Sequence, residues 1–204
     1  MGVFDAYFKE YDAWYDTHPY AYASELETLK RVIPDKGMGL EIGVGTGRFA
    51  SALGIAVGVD PSQQMVDTAA RRGVTVCRGC GEQLPFLDHS FDYAAIIIAL
   101  CFVRDPARVL QEARRVLKRN GTLIIGIIDK DSFLGRHYHT KKSVFYRQAH
   151  FFSVPELTDM LRAAGYHLFS YFQTIFTVLD EMRSAQKPRR GFGDGGFVVI
   201  SAHG

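Results

Sequence analysis

The sequence predicts an α/β fold: a sheet of seven strands, mostly parallel with an antiparallel last strand, and helices on both faces. Three observations predict it. Between residues 38 and 128, short apolar runs alternate with amphipathic segments, the pattern that builds a parallel sheet through crossover helices. Two of those runs, 91–98 and 122–128, are apolar almost throughout, as expected of central strands covered on both sides. The first run leads into Glu41-Ile-Gly43-Val-Gly45-Thr-Gly47, a glycine-rich turn that opens a helix.

The elements follow in order. Residues 1–34 are rich in aromatics: Phe4, Tyr7, Phe8, Tyr11, Trp14, Tyr15, Tyr20 and Tyr22. Pro19 divides them into helices over 4–15 and 22–33, with Ser24 as N-cap of the second and Glu27 completing a capping box. Strands are expected at 39–42, 55–59, 74–77, 91–98 and 122–128, and helices at 46–53, 62–72 and 106–119. A polar and aromatic stretch, 130–150, precedes a helix capped by Ser153 and Glu156 and stopped by Gly165. Strands at 166–177 and 197–201 close the chain, with a loop over 179–196 and a glycine turn that makes the last strands antiparallel.

Composition narrows the function classes. The chain has 204 residues, 47% hydrophobic and 23% charged, which describes one globular domain able to bury ~70% of its unfolded surface. Its 24 basic and 22 acidic residues leave a net charge of +2, which argues against a dedicated nucleic-acid partner. Cys77, Cys80 and Cys101 are too few for a disulfide framework and point to a reducing compartment. Cys77-x-x-Cys80 has metal-site spacing but too few companions, so no metal is expected. Asp5, Lys9, Glu10, Asp12 and Asp16 interrupt the opening twenty residues, which exclude a leader there. The longest apolar run, 93–103, has eleven residues against the ~20 of a membrane helix. The expectation is a cytoplasmic protein with no membrane partner, a monomer or weak homodimer.

The glycine turn identifies a ligand class. A dinucleotide fingerprint needs glycine at position 48, where Arg48 stands, and a P-loop needs a Gly-Lys-Ser/Thr that is absent. Glu41, two residues before Gly43, repels a pyrophosphate and suits an ammonium group. Asp60, seventeen residues after Gly43, ends the second strand, where a carboxylate accepts both hydroxyls of a ribose. An adenosine with an amino-acid end and no phosphate meets all three conditions, and S-adenosylmethionine is that ligand.

On these residues the sequence resembles the class I S-adenosylmethionine-dependent methyltransferases, in particular the small-molecule branch that includes ubiquinone- and menaquinone-biosynthesis methyltransferases. The resemblance covers roughly residues 5–170. It is carried by Leu40-Glu-Ile-Gly-Val-Gly-Thr-Gly-Arg-Phe49, Gly58-Val-Asp-Pro-Ser62 with Met65, and Gly79-Cys-Gly-Glu-Gln-Leu-Pro-Phe86. Phe91-Asp92, Leu117-Lys-Arg-Asn-Gly121 and Phe152-Ser-Val-Pro-Glu-Leu157 with Ala164-Gly165-Tyr166 continue it in order. It implies a Rossmann-like methyltransferase sheet under an N-terminal helical lid, divided into lid (1–34), cofactor-binding core (38–129) and substrate-side and C-terminal strands (130–204). It implies roles as well. Gly43, Gly45 and Gly47 underlie the methionine part of the donor, Glu41 faces its ammonium and Tyr11 closes over it. Asp60, flanked by Pro61 and Ser62, holds the ribose, and Met65 packs on the adenine. Cys80, Gly81 and Glu82 meet the adenine edge, and Ala99, Leu100 and Cys101 lie beside the sulfonium. Cys80 departs from the aspartate frequent in the family, and Lys118-Arg-Asn-Gly121 departs from its Lys-Pro-Gly-Gly turn.

The acceptor is a matter of elimination. The segment Ile98-Ala-Leu-Cys-Phe102 lacks the Asn/Asp-Pro-Pro-aromatic pattern of amino-methylating nucleic-acid enzymes and the Pro-Cys of cytosine-C5 enzymes. Catechol-type metal sites need an acidic cluster where Asp129 stands alone. What remains is a small-molecule amine, phenol or thiol, walled by Trp14, Tyr15 and Tyr22 from the lid and by Phe133, Arg136 and Tyr138 after the fifth strand. His18, Asp129 and His137 are the candidate bases. Arg48 either reaches the donor carboxylate or faces solvent. The alternatives are a non-catalytic S-adenosylmethionine-binding module, a methyltransferase with a protein or RNA acceptor, and a dehydrogenase on the same fold.

Overall fold

The computed structural model describes residues 3–140, 143–146 and 149–204. Three helices open the chain: α1 (Val3–Ala6), α2 (Phe8–Thr17) and α3 (Pro19–Leu29). Strand β1 (Gly39–Ile42), helix α4 (Arg48–Leu53), β2 (Val57–Asp60), α5 (Gln63–Arg71) and β3 (Thr75–Arg78) then alternate. After them come β4 (Phe91–Ile97), α6 (Pro106–Val116), β5 (Leu117–Ile128), α7 (Phe133–Thr140) and α8 (Val154–Ala163). Strands β6 (His167–Thr174), β7 (Arg189–Arg190) and β8 (Phe197–His203) finish the chain.

The strands form one sheet in the order β3-β2-β1-β4-β5-β8-β6-β7. β3, β2, β1, β4 and β5 are mutually parallel, and β8 runs antiparallel to β5 on one side and to β6 on the other. The side-chain alternation of the central strands sorts the core into two faces. Ala94, Ile96, Leu123, Ile125, Val198 and Ile200 pack with Val109 and Leu110 of α6 and Leu157 and Leu161 of α8. Tyr93, Ala95, Ile97, Ile124, Phe197 and Val199 pack on the other face with Leu29 of α3, Phe49 of α4 and Leu134 of α7.

Several boundaries differ from the expected ones, each for a local reason. Pro19 starts α3 itself, because a proline lacks the N–H that the first helical turn leaves unpaired. Ser24 is therefore buried inside α3, not its cap; its hydroxyl donates to Tyr20 O at 2.6 Å and accepts from Gln186 N at 2.8 Å. Helix α6 ends at Val116, and β5 begins at Leu117. Residues 118–121 are accommodated as a register shift, since Phe91 pairs with Leu117 and Tyr93 with Thr122. The stretch 130–150 contains α7; within it, residues 141, 142, 147 and 148 lie outside the described residues. The expected loop over 179–196 includes β7, which pairs with Phe172 and Gln173 and adds an eighth strand at the sheet edge. The capping box of α8 forms as expected, with Ser153 Oγ accepting from Glu156 N and Glu156 Oε2 from Ser153 N. Among the described residues, no helix is long and apolar enough to cross a membrane.

Candidate functional site

From β1 the chain proceeds to β2 and β3 on one side and to β4 and β5 on the other, so the strand order reverses between β1 and β4. In open α/β sheets ligands bind outside the carboxyl ends of the strands at such a point. A cavity of about 380 Å³ lies there. It is lined by the turn after β1, the end of β2, the 79–82 turn, the 96–99 end of β4 and the residues Phe4, Asp5 and Tyr11 of the N-terminal helices.

The glycine turn explains the floor. Gly43 has φ of 76° and Gly45 of 53°, backbone that favours glycine. A Cβ on Gly43 would stand 2.5 Å from that of Ala99, so β1 and β4 can carry their loops this close only without a side chain there. Gly43 N and Val44 N both donate to Val59 O, at 2.8 and 3.0 Å, which ties the turn to β2. The carboxylate of Asp60 is held in turn by the same backbone: Gly45 N donates to Oδ2 at 3.0 Å and Ser62 N to Oδ1 at 2.9 Å. Burial pushes the Asp60 carboxyl up while those two N–H groups pull it down. Ser62 caps α5 through Met65 N and donates its hydroxyl to Asp5 Oδ1 at 2.6 Å, pinning α1 over the cavity.

Ile98 is at φ 51°, a strained conformation for a β-branched residue, on the cavity wall beside Ala99. Phe102 packs edge-on against Phe4 at 4.9 Å and Phe4 against Tyr11 at 5.7 Å, which makes an aromatic roof. Glu82 Oε1 accepts from Arg104 N at 3.0 Å and so joins the 79–82 turn to the loop after β4.

Of the residues expected around the donor, Tyr11, Gly43, Gly45, Asp60, Pro61, Ser62, Met65, Cys80, Gly81, Glu82 and Ala99 line the cavity together. Gly47 does not; its backbone, at φ 80°, packs on Ala69 of α5. Leu100 is buried in the core, and Cys101 Sγ approaches Ile98 O at 3.7 Å. Glu41 is buried behind the glycine turn, with Oε2 unpartnered and its pKa well above the usual carboxylate range because of burial.

The residues expected to serve the acceptor lie off this lining. His18 ends α2, stacks on Trp14 at 4.7 Å and has Nδ1 3.1 Å from Trp14 O. Asp129 is buried in the turn after β5, where Oδ1 accepts from Asp131 N at 3.2 Å. His137 and Arg136 are exposed on α7, while Tyr138 points inward and stacks on Tyr146 at 4.3 Å. Phe133, Tyr15 and Tyr22 belong to the core on the α3 side of the sheet, and Trp14 packs on Tyr15. Tyr22 donates to Arg48 O at 2.7 Å. Arg48 takes neither of its expected roles: its guanidinium pairs with Asp12 at 3.0 Å and Asp16 at 2.8 Å.

Sequence reasoning missed Phe4, Asp5, Ile98, Phe102 and Arg104. The aromatic run at the N-terminus signalled Phe4 in kind, but nothing in the spacing brings residue 4 to residue 102.

The comparisons agree with this geometry. A methyltransferase-domain family profile matches residues 40–125, from β1 to β5. A crystal structure from Thermotoga maritima, described as an S-adenosylmethionine-dependent methyltransferase and "possible histamine N-methyltransferase", is 47% identical, covers 98% of both chains and superposes with a TM-score of 0.96. This chain belongs to the S-adenosylmethionine-dependent methyltransferases. An uncharacterised protein of Methanocaldococcus jannaschii is 50% identical to this methyltransferase over 204 residues, covering 99% of this chain and 98% of the relative. The demethylmenaquinone methyltransferase of Staphylococcus aureus is 36% identical over 112 residues, which cover 47% of this chain and 46% of that enzyme. The matched segment, residues 40–125, contains the β1–β4 reversal at which the cavity lies.

The cavity suits S-adenosylmethionine on its own observations. The floor excludes side chains at Gly43, and a fixed carboxylate at Asp60 lines the cavity with lone pairs to spare for hydroxyls.

Proposed function

We propose that this methyltransferase transfers a methyl group from S-adenosylmethionine to a small molecule, an amine, phenol or thiol, beneath the N-terminal helices. The observation that carries the reading is the roof: Phe4 and Tyr11 of α1 and α2 close over a cavity whose opposite wall is the Ile98–Ala99 end of β4. Two relatives support it, since the acceptors in the names of the Thermotoga maritima and Staphylococcus aureus proteins are small molecules.

The bound donor supplies an electrophilic methyl group on a sulfonium. Asp60 would accept the ribose hydroxyls with the oxygens that Gly45 and Ser62 hold in place, and Met65 would pack against the adenine. The backbone of 80–82 would meet its edge. Gly43 and Gly45 would let the methionine part lie against the chain. Ile98 and Ala99 would border the reacting centre, where the acceptor must sit ~3–3.5 Å from the methyl carbon, aligned and out of water. Tyr11 and Phe4 exclude that water, and aromatic faces shelter a cationic centre. An amine that arrives as the free base needs no general base, whereas a phenol, a thiol or an ammonium must first give up a proton, and His18, Asp129 and His137 lie off the cavity lining.

Calorimetric titration with S-adenosylmethionine, S-adenosylhomocysteine and NAD, followed by an acceptor screen of amines, phenols and thiols, tests the reading. Micromolar binding of both sulfur nucleotides, silence with NAD and turnover of a small acceptor are expected. Turnover of a protein or RNA with none of a small molecule would overturn it.

A further inference from the structure

We propose that a second cavity, at the β6–β8 edge of the sheet, binds a phosphate monoester whose dianionic head pairs with Arg31 and Arg190 and whose apolar body lies on Val32 and Phe172. The site is separate from the donor cavity and stands whether or not the donor reading holds.

The cavity has a volume of about 490 Å³, and Arg31, Val32, Ser170, Phe172, Arg190 and Ser201 are among the residues that line it. It shares no lining residue with the donor cavity, which opens between β1 and β4. Register explains why these side chains meet. Ser170 stands opposite Ser201 of β8, and Phe172 stands opposite Val199 on one side and Arg190 on the other. Opposed residues, and residues two apart on a strand, share a face. Ser170, Phe172, Arg190 and Ser201 therefore project on the side where Val199 packs with Leu29 of α3. Arg31 and Val32 form the turn that closes α3, in which Arg31 N donates to Thr28 O at 3.1 Å and Val32 N to Leu29 O at 3.0 Å. One arginine thus comes from the end of a helix and the other from the edge strand.

The charge around this cavity has one sign. Arg48, Arg72, Arg115 and Arg162 each pair with a carboxylate at 3.0 Å or less. Arg31 and Arg190 have no such partner among the described residues, and no Asp or Glu lines the cavity. Arg190 is steadied by Phe172 instead, with Cζ 5.7 Å from the ring centre, a contact that orients the guanidinium without neutralising it. Two guanidinium groups match the charge of about −1.5 to −2 that a phosphate monoester carries at pH 7, and their planar forks suit its oxygens. The hydroxyls add a donor. Ser170 Oγ and Ser201 Oγ lie 2.7 Å apart, so one proton sits between them and the other is left for a ligand. Val32 and Phe172 give the site an apolar side that an inorganic ion leaves uncovered and an organic phosphate covers.

The test is calorimetric titration of the full chain with phenyl phosphate, with inorganic phosphate and phenol as controls. Phenyl phosphate should bind more tightly than inorganic phosphate, and phenol should give no heat. Added salt should weaken the binding, because both arginines are exposed. Arg31→Gln and Arg190→Gln should each weaken phenyl phosphate by ~3–10-fold, the effect of a charged hydrogen bond reduced by solvent, and the double variant should abolish it. Since both side chains are exposed, the variants should keep the wild-type melting temperature, which separates lost binding from lost fold. Saturating S-adenosylhomocysteine should leave the phosphate affinity unchanged. No binding of phenyl phosphate, equal binding of phenol, affinity unchanged in both variants, or competition with S-adenosylhomocysteine would overturn the assignment. Equal affinity for phenyl and inorganic phosphate would overturn the organic body. A wild type that binds phenyl phosphate but no S-adenosylhomocysteine would overturn the methyltransferase reading and leave this site standing.

Discussion

Two carboxylates at the residue scale show opposite uses of burial. Asp60 is buried with a backbone N–H on each oxygen, so it keeps a fixed direction and spare lone pairs. Replacing it by alanine should weaken S-adenosylmethionine by ~1–3 kcal/mol, about 5–150-fold, since the ribose hydroxyls of a donor bound there would lose their acceptor. Titration of Asp60→Ala checks this, and an unchanged affinity would remove the ribose from that position. Among the described residues neither oxygen of Glu25 has a hydrogen-bond partner, and burial raises its carboxyl from 4.5 to about 8. A raised folded pKa means that its contribution to stability is full below pH 4.5 and is lost as pH rises to about 8. Wild-type melting temperature should therefore fall across that window, and Glu25→Gln should flatten the fall; parallel profiles for the two proteins would contradict the origin assigned to it. Asp60 was legible in the sequence because a strand end and a spacing place it. Glu25 was not, because its burial without a partner follows from how α3 packs on the sheet.

At the scale of elements, the N-terminal helices are fastened by charge. Asp12 of α2 accepts from Thr46 Oγ1 at 2.6 Å, pairs with Arg48 at 3.0 Å and Arg72 at 2.8 Å, and so ties α2 to the glycine turn and α5. Desolvation opposes the carboxylate, but the guanidinium partners outweigh it and hold its pKa well below 3.8. A depressed pKa contributes stability above the unfolded value, and this is lost as pH falls below it. Asp12→Asn should cost ~1–3 kcal/mol, because these pairs are about four-fifths buried, and lower the melting temperature by ~2–10 °C. Because Tyr11 adjoins Asp12 and lines the cavity, the same variant should speed S-adenosylhomocysteine release several-fold in stopped-flow measurements. An unchanged release rate would mean that the N-terminal helices do not govern the donor. Pattern alone failed at this scale. The i, i+3, i+4 rule finds the helices, but Arg48 acquired its role only when α2 came to rest on the turn that precedes it. Pro19 looked like a divider between helices and is the first residue of one, since a proline both ends and begins helices.

At the scale of the whole molecule, the half from β1 to β5 was the most legible. β4 and the 123–128 end of β5 are apolar on both faces and the turns carry glycine where the backbone needs it, so periodicity and turn chemistry agree. The last third was less so. The two-residue β7 has no periodicity to detect, and the interleaving of β8 between β5 and β6 is a property of tertiary pairing. The same division runs through the cavity lining: the residues after β1 and β2 could be picked out from turn chemistry, whereas Phe4, Asp5 and Phe102 come together only through tertiary packing. The central claim is that the cavity at the β1–β4 reversal is the donor site. Calorimetric titration of the wild-type chain with S-adenosylmethionine, with NAD in parallel, tests it most directly. The account predicts one site of micromolar affinity for S-adenosylmethionine and no heat with NAD; binding of NAD with silence for S-adenosylmethionine would contradict it.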